Sequence, residues 1–247
     1  MDTTTAKGFQ LLERLAMSDT PRGISELSRE MDLTKSNVQR ILATLGMLGY
    51  VDKDPQTSRY FATLKMWEYG NRVLQRGPII RACANALKTL RAATQETTAL
   101  CLLDGLDVVY VDKIESENPI RLSCPIGARL PAYATATGRV IAAFRPAGAI
   151  EALVERYRAN VPNGAMDLYA RFEEIRSKGY ETSEGGFRPG VNSIAAPIHE
   201  ADGQVVASLA VTGPKERLPG KRLVELLSTL LGAASRASNA LGYVGGD

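Results

Sequence analysis

Three places in this 247-residue chain carry side chains whose types and spacing could do chemistry. The first is Thr34 followed by Lys35, Ser36, Asn37, Gln39, Arg40 and Thr44, short hydrogen-bonding groups and cations on one side of a helical repeat. Grouped at the N-terminal end of a helix, such side chains reach base edges in the major groove. The second is Tyr133 to Gly138, a stretch of small residues and hydroxyls leading into a helix. Its backbone N–H groups, at the positive end of a helix dipole, suit an anion, with Thr135 or Thr137 adding a hydroxyl donor. Ala136 and Gly138 would let a ligand approach the backbone closely; the plainer alternative is that Thr135 only caps the helix. The third is the single His199 with Cys83, Cys101 and Cys124.

That third set supports neither catalysis nor metal binding. There is no G-x-S-x-G elbow, no G-K-[ST] phosphate loop, no H-E-x-x-H and no G-x-G-x-x-G after a strand. A cysteine nucleophile would depend on one histidine, and a zinc site would have almost nothing to draw on. His199 follows Pro197-Ile198 beside Glu200, Asp202 and Gly203, the setting of a turn residue. The three cysteines are odd in number, widely spaced and set among apolar residues, as reduced core thiols are. No catalytic residue, metal or cofactor is expected.

With 45% apolar and 23% charged residues the composition is that of an ordinary soluble protein, and the length favours two domains. No run approaches the ~18 apolar residues of a membrane helix. Met1-Asp2-Thr3 opens polar and acidic, so no secretory leader is read there, and a cytoplasmic location without a membrane partner is expected. The formal charge is only +3, yet Leu33 to Lys65 alone holds five basic residues against Asp52 and Asp54, so one short segment accounts for the excess.

The elements that would position the first set are legible from periodicity. Ala6 to Met17 reads as a helix on Phe9, Leu12 and Ala16, widened by Leu11 and Leu15; Asp19 to Gly23 breaks it, and Ser25 to Met31 forms a second. After the turn Asp32-Leu33, Thr34 is an N-cap and Val38, Ile41, Leu42, Leu45 and Leu48 share one face, until Gly49 stops the helix. Tyr50 to Lys53 and Arg59 to Ala62 then read as two short strands around Asp54-Pro55-Gln56-Thr57-Ser58. Three helices and a hairpin make a winged helix-turn-helix, in which Lys53 and Arg59 on the wing would hold phosphates.

Ile24-Ser25-Glu26-Leu27, Asp32 through Leu42 and Leu48-Gly49-Tyr50-Val51 closely resemble the DNA-binding module of the IclR family of bacterial transcriptional regulators. Ser28 stands where that family often has alanine.

Lys65 to Leu74 is compatible with a linker helix, with Leu64, Met66, Trp67 and Val73 to bury, and Arg76-Gly77-Pro78 marks a boundary. The expected domains are therefore 1–64, a linker 65–77, and 78–247. Ile79 to Gln95 forms a helix on Ile80, Cys83, Leu87 and Leu90. Strands are read at Thr98 to Leu103, Val108 to Val111, Ile120 to Leu122, Val191 to Ile198 and Gln204 to Thr212. Helices fall at Thr137 to Phe144, Ala147 to Arg158, Met166 to Ser177 and Lys221 to Leu241. The class is α+β, with an antiparallel sheet covered on one face and open to a ligand on the other.

The outline resembles the GAF/PAS-like effector domain of the same family, carried by Arg129 to Arg139, Gly190 to Ile198, and Ala210 to Pro214 with Arg217-Leu218. The resemblance implies a cup for small carboxylated effectors, lined here by Ala136 and Thr137, Val191 and Ser193, and Ala210 and Thr212. Ser193 replaces a common cysteine, Ala210 a common serine and Arg139 a usual lysine, changes that leave room for a larger, more apolar or aromatic acid. Arg129 and Tyr133 are candidate polar contacts at its rim, and the Gly-rich loop around Glu184 to Arg188 is either a cover or a solvated connection.

The expected function is that of a ligand-responsive regulator binding double-stranded operator DNA. Because each winged helix contacts few base pairs, it would work as a homodimer or homotetramer, with Phe9, Met66 and Trp67 as dimer contacts or core. The alternative is a small-molecule sensor or enzyme whose N-terminal domain mediates protein association.

Overall fold

The computed structural model describes residues 3–161 and 166–245, so the polar opening Met1-Asp2 lies outside the described residues. The chain divides into two compact units, Met1–Arg76 and Gly77–Asp247.

In the first unit, α1 (Thr3–Ala16) turns Leu11, Leu12 and Leu15 inward and α2 (Ile24–Glu30) adds Leu27. Helix α3 (Lys35–Met47) begins where Thr34 Oγ1 accepts the Asn37 N–H at 3.3 Å, and its Val38 and Leu42 pack with Val51 on that core. Gly49, at φ 77°, takes the chain out of α3 through a conformation that side-chain-bearing residues resist. Strands β1 (Val51–Lys53) and β2 (Tyr60–Ala62) pair antiparallel, Val51 opposite Ala62, and Arg22 forms an isolated bridge to Tyr60. This is a winged helix-turn-helix.

Helix α4 (Lys65–Arg76) departs from expectation: it buries no residue. Leu64, Trp67 and Val73 stand exposed, Trp67 by 66%, and Met66 is at the margin. Within its own unit the helix is met by Tyr50, whose ring centre lies 6.2 Å from that of Tyr69, while Trp67 and Val73 remain exposed.

The second unit opens with α5 (Pro78–Thr94), where Pro78 takes the first turn and Gln95 closes the helix in the left-handed region. Six antiparallel strands follow: β3 (Thr97–Asp104), β4 (Asp107–Ile114), β5 (Arg129–Pro131), β6 (Glu181–Glu184), β7 (Val191–His199) and β8 (Val205–Pro214). Their order across the sheet is β5-β4-β3-β8-β7-β6. Between β5 and β6 the chain makes a 3-10 turn at Ala132–Ala134 and the helices α6 (Ala136–Ala142), α7 (Ala147–Asn160) and α8 (Leu168–Lys178). Helices α9 (Gly220–Glu225) and α10 (Leu227–Ala240) follow β8, so the expected single terminal helix is broken at Leu226.

Alternation along the strands sends residues to two covered faces. Ala99, Cys101, Ala195 and Ala210 pack with α6, α7 and α8, whereas Thr98 donates to the Leu87 carbonyl of α5 at 3.1 Å and His199 N–H donates to Ser238 of α10 at 3.0 Å. Helices thus cover both faces, and the expected open face does not exist. Ile120 to Leu122 is irregular chain, and the third strand of that edge is β5 instead. Strands β5 and β6 escaped the sequence reading because they are three and four residues long and mostly polar or turn-forming.

Candidate nucleic-acid interface and effector cleft

On α3, Thr34, Lys35, Ser36, Gln39, Arg40 and Thr44 are exposed and Asn37 is half-buried. Ser36 Oγ lies 3.1 Å from Thr34 Oγ1, Arg40 Nη2 donates to Asn37 Oδ1 at 3.4 Å, and the Thr44 hydroxyl donates back to the Arg40 carbonyl at 3.0 Å. Among the described residues Lys35, Arg40 and Lys53 enter no ion pair; Lys53 Nζ sits 5.9 Å from the centre of the Tyr60 ring. The N-terminal half of α3 and the wing therefore present cations whose charge no carboxylate has neutralised.

Arg59 behaves differently from the reading that gave it a phosphate. Its Nη1 donates to the Pro21 carbonyl at 3.1 Å and its Nη2 to Glu26 Oε1 at 2.8 Å. Glu26 also accepts from Arg22 Nε and from the Gly23 N–H, both at 3.2 Å, and the backbone contact leads the causes that hold its carboxyl below the usual range. Arg59 is thereby an internal strut between the wing and α2. Sequence reasoning missed Glu26, although its place three residues after Gly23 fits the reach-back of a capping glutamate.

In the second unit a cleft of about 500 Å³, counted with its open mouth, lies beside the start of α6. It brings together five of the eight effector candidates, namely Ala136, Thr137, Val191, Ser193 and Thr212. Sheet register explains part of this, since Ser183 stands opposite Ser193 and Ser193 opposite Thr212, a row of hydroxyls crossing three strands.

The other three candidates lie elsewhere. Arg129 is held by Asp104 at 2.7 Å, with Asp107 at 3.8 Å, outside the cleft. Tyr133 is buried against Tyr157, edge to face at 5.4 Å. Ala210 points to the correct face of β8 but is fully buried under α6. In their place the cleft takes Tyr110 from β4, Leu122 and Cys124 from the irregular segment, Leu130 from β5, Thr135, and Phe187 with Arg188 from the β6–β7 loop. The changed strand assignment hid several of these.

The start of α6 serves structure first. Thr135 Oγ1 accepts the Gly138 N–H at 3.0 Å and the Thr137 hydroxyl at 3.1 Å, so the capping alternative describes it. Gly138 gives room to protein and not to a ligand: a Cβ there would stand 2.7 Å from the Ala132 carbonyl carbon and closer still to its oxygen and Cα.

All three cysteines are free and buried. Burial pushes the Cys83 thiol up to about 12, with Asp112 adding to it, and raises Cys101 and Cys124 as well. Such thiols are protonated at neutral pH and lack the thiolate that nucleophiles require. Among the described residues no group of three or more His, Cys, Asp or Glu side chains could hold a metal ion, and no helix is long and apolar enough to cross a membrane.

A winged helix with an uncommitted cationic recognition helix, on the same chain as an α+β unit with a cleft at the start of α6, defines a DNA-binding transcriptional regulator. Two family models match the chain: the IclR helix-turn-helix domain over residues 4–55, and the bacterial transcriptional regulator IclR C-terminal over residues 71–239. The HTH-type transcriptional regulator KdgR of Escherichia coli is 32% identical over 246 residues, covering 98% of this chain and 93% of that protein. XynR of the same organism, also an HTH-type transcriptional regulator, is 30% identical with 96% of each chain covered. The crystal structure of IclR from Thermotoga maritima superposes with a TM-score of 0.78 at 27% identity, over 98% of this chain and 100% of that one. The chain belongs to the IclR family of bacterial transcriptional regulators and is not an enzyme.

Proposed function

We propose that this regulator binds a small organic carboxylate in the cleft of its second unit, and that occupancy alters operator binding by its winged helix. Residues 1–64 act as the DNA-binding domain, 65–77 as the linker helix and 78–247 as the effector domain. Lys35, Ser36, Asn37 and Gln39 face base edges, with Thr34 and Thr44 flanking them, while Arg40 and Lys53 take phosphates. The observation that carries the reading is that, among the described residues, Lys35 and Arg40 of α3 and Lys53 of the wing enter no ion pair.

The regulator works as a homodimer or homotetramer. Supporting this, Phe9, Ile41, Leu45, Leu48, Met66 and Tyr69 line an apolar groove of about 1430 Å³, counted with its open mouth, in the first unit, and Trp67 in the same unit is exposed. A second copy covering that surface would present two recognition helices at once, which affinity for a repeated half-site demands. The effector acts by binding one arrangement of the oligomer better than the other, since a ligand with equal affinity for both switches nothing.

The experiment is fluorescence anisotropy of the full chain with the DNA upstream of its own coding region, against unrelated DNA of equal length at physiological salt. Preference for the upstream fragment, changed by a carboxylate, supports the reading. Failure to bind either DNA at low salt overturns it.

A further inference from the structure

The cleft holds one formal charge. Its lining contains no carboxylate, and Arg188 is its only cation. In the same unit Arg139, Arg171 and Arg129 each face a carboxylate at 2.6 to 2.9 Å, and Lys113, which also lies near Cys124, is held by Glu115 at 2.6 Å. Arg188 is different: among the described residues its guanidinium enters no ion pair, and its recorded neighbour is the face of Phe187, 5.8 Å from the ring centre.

The loop fixes where this charge stands. Gly185 N–H donates to the Val191 carbonyl at 2.9 Å, Val191 N–H returns to the Arg188 carbonyl at 3.1 Å, and Lys215 N–H donates to the Gly190 carbonyl at 2.9 Å. Gly186 packs so closely that a Cβ would meet Ser183 Oγ at 2.8 Å. Arg188 is exposed, so its charge sits at the mouth, while Tyr110 and Cys124 behind it are buried. Burial raises both of these groups, and the field of Arg188 opposes the rise at each. The charge therefore acts on the interior of the cleft.

We infer that Arg188 is the specificity-determining residue of the cleft, pairing with the single carboxylate of a compact monocarboxylic acid bound acid-outward, its neutral part inside against Tyr110, Leu122 and Leu130. This deepens the effector reading above and rests on it. A planar guanidinium matches a carboxylate by two parallel hydrogen bonds, which an ammonium cannot reproduce. Selectivity against dicarboxylates follows, because a second carboxylate would be carried among uncharged groups without a partner, which desolvation opposes strongly. Hydroxyls of Thr137, Ser193 and Thr212 accommodate one uncharged polar substituent on the inner part.

The test is calorimetric titration of the full-length protein with benzoate, 3-methylbutanoate and 2-hydroxy-3-methylbutanoate, each beside its amide, with terephthalate as the dicarboxylate. At least one acid binds; its amide, and that acid on Arg188→Gln, bind about tenfold or more weakly, the loss expected for a charge-assisted pair. Arg188→Lys recovers part of the affinity, and the unliganded Arg188→Gln protein unfolds at the same midpoint as the parent. An acid bound equally by the parent and Arg188→Gln overturns the assignment of Arg188 and leaves the carboxylate reading standing. An amide equal to its acid, or no acid bound at all, overturns both. Terephthalate bound more tightly than benzoate overturns the one-carboxylate selectivity.

Discussion

Arg59 on the wing and Glu26 on α2 meet through Nη2 and Oε1 at 2.8 Å, although 33 residues separate them in sequence. The pair places a cation that looked free for DNA inside the fold's own wiring, where Arg22 shares the same carboxylate at 3.2 Å. Cations that release counterions from DNA steepen the salt dependence of binding by about one unit each. Arg40→Ala and Lys53→Ala are therefore expected to flatten the slope of log affinity against log salt by about that amount. Arg59→Ala, by contrast, loosens the wing and leaves the slope nearly unchanged. Anisotropy across a salt series separates the two, and a full unit lost from the slope in Arg59→Ala would return that residue to the phosphate contacts.

A second pair governs the fold beneath the cleft. Arg139 Nε donates to Glu181 Oε1 at 2.6 Å, with both side chains at or below 4% exposure, and Arg171 reaches the other oxygen at 2.9 Å. The contact joins α6 to β6 and α8. Glu181→Ala leaves the buried guanidinium of Arg139 without its counter-charge, which costs about 3–5 kcal/mol. Urea denaturation is expected to show that loss, and a change below ~1 kcal/mol would mean that water reaches Arg139 readily.

The acid side of the stability profile has a named contributor. Lys113, Arg121 and Ser123 hold the Glu115 carboxyl down to about 2, the hydrogen bond from Lys113 being the largest cause. A carboxyl depressed in the folded state adds stability that is fully present above its unfolded value of 4.5 and is lost as pH falls toward 2. The stability difference between the parent and Glu115→Gln is thus largest above pH 4.5 and vanishes near pH 2. Because the half-buried group still reaches solvent, added salt shrinks the difference. A difference independent of pH would assign Glu115 a packing role instead.

Gly138 shows how a correct residue can receive the wrong reason. Its smallness serves the approach of α6 to the 3-10 turn, because a Cβ would overlap the backbone of Ala132. Gly138→Ala is expected to destabilise the second unit by about 1–3 kcal/mol, as forced overpacking does. Denaturation of that variant with ligand affinity measured alongside distinguishes this from a ligand-approach role, which would spare stability.

These cases mark what was legible. The Thr34 cap and the Val38 and Leu42 face of α3 are local and periodic, so spacing alone recovers them, and the hairpin follows from its turn residues. Strand alternation put Ser193, Ala210 and Thr212 on the face that bears the cleft, yet it carries no information on depth, and Ala210 is covered by α6. Arg59, Arg129 and Arg188 are alike as letters. Only tertiary neighbours decide that the first two are spent on Glu26 and Asp104 while the third has no carboxylate.

The cleft itself is tested by filling it from a position that tolerates bulk. Ala136 lines it but is 1% exposed in the first turn of α6, so a phenylalanine there would disturb the helix as well as the cleft. Val191 is half-buried, opens β7 and faces the same space. Val191→Phe adds volume at the mouth side of the cleft without removing a core contact of α6. Operator affinity without effector is expected to match the parent, while the effector-dependent change in anisotropy falls about tenfold or more in sensitivity, the loss expected when overpacking at the contact adds about 1–3 kcal/mol. A parent-like response in a folded Val191→Phe protein would place effector binding outside this cleft.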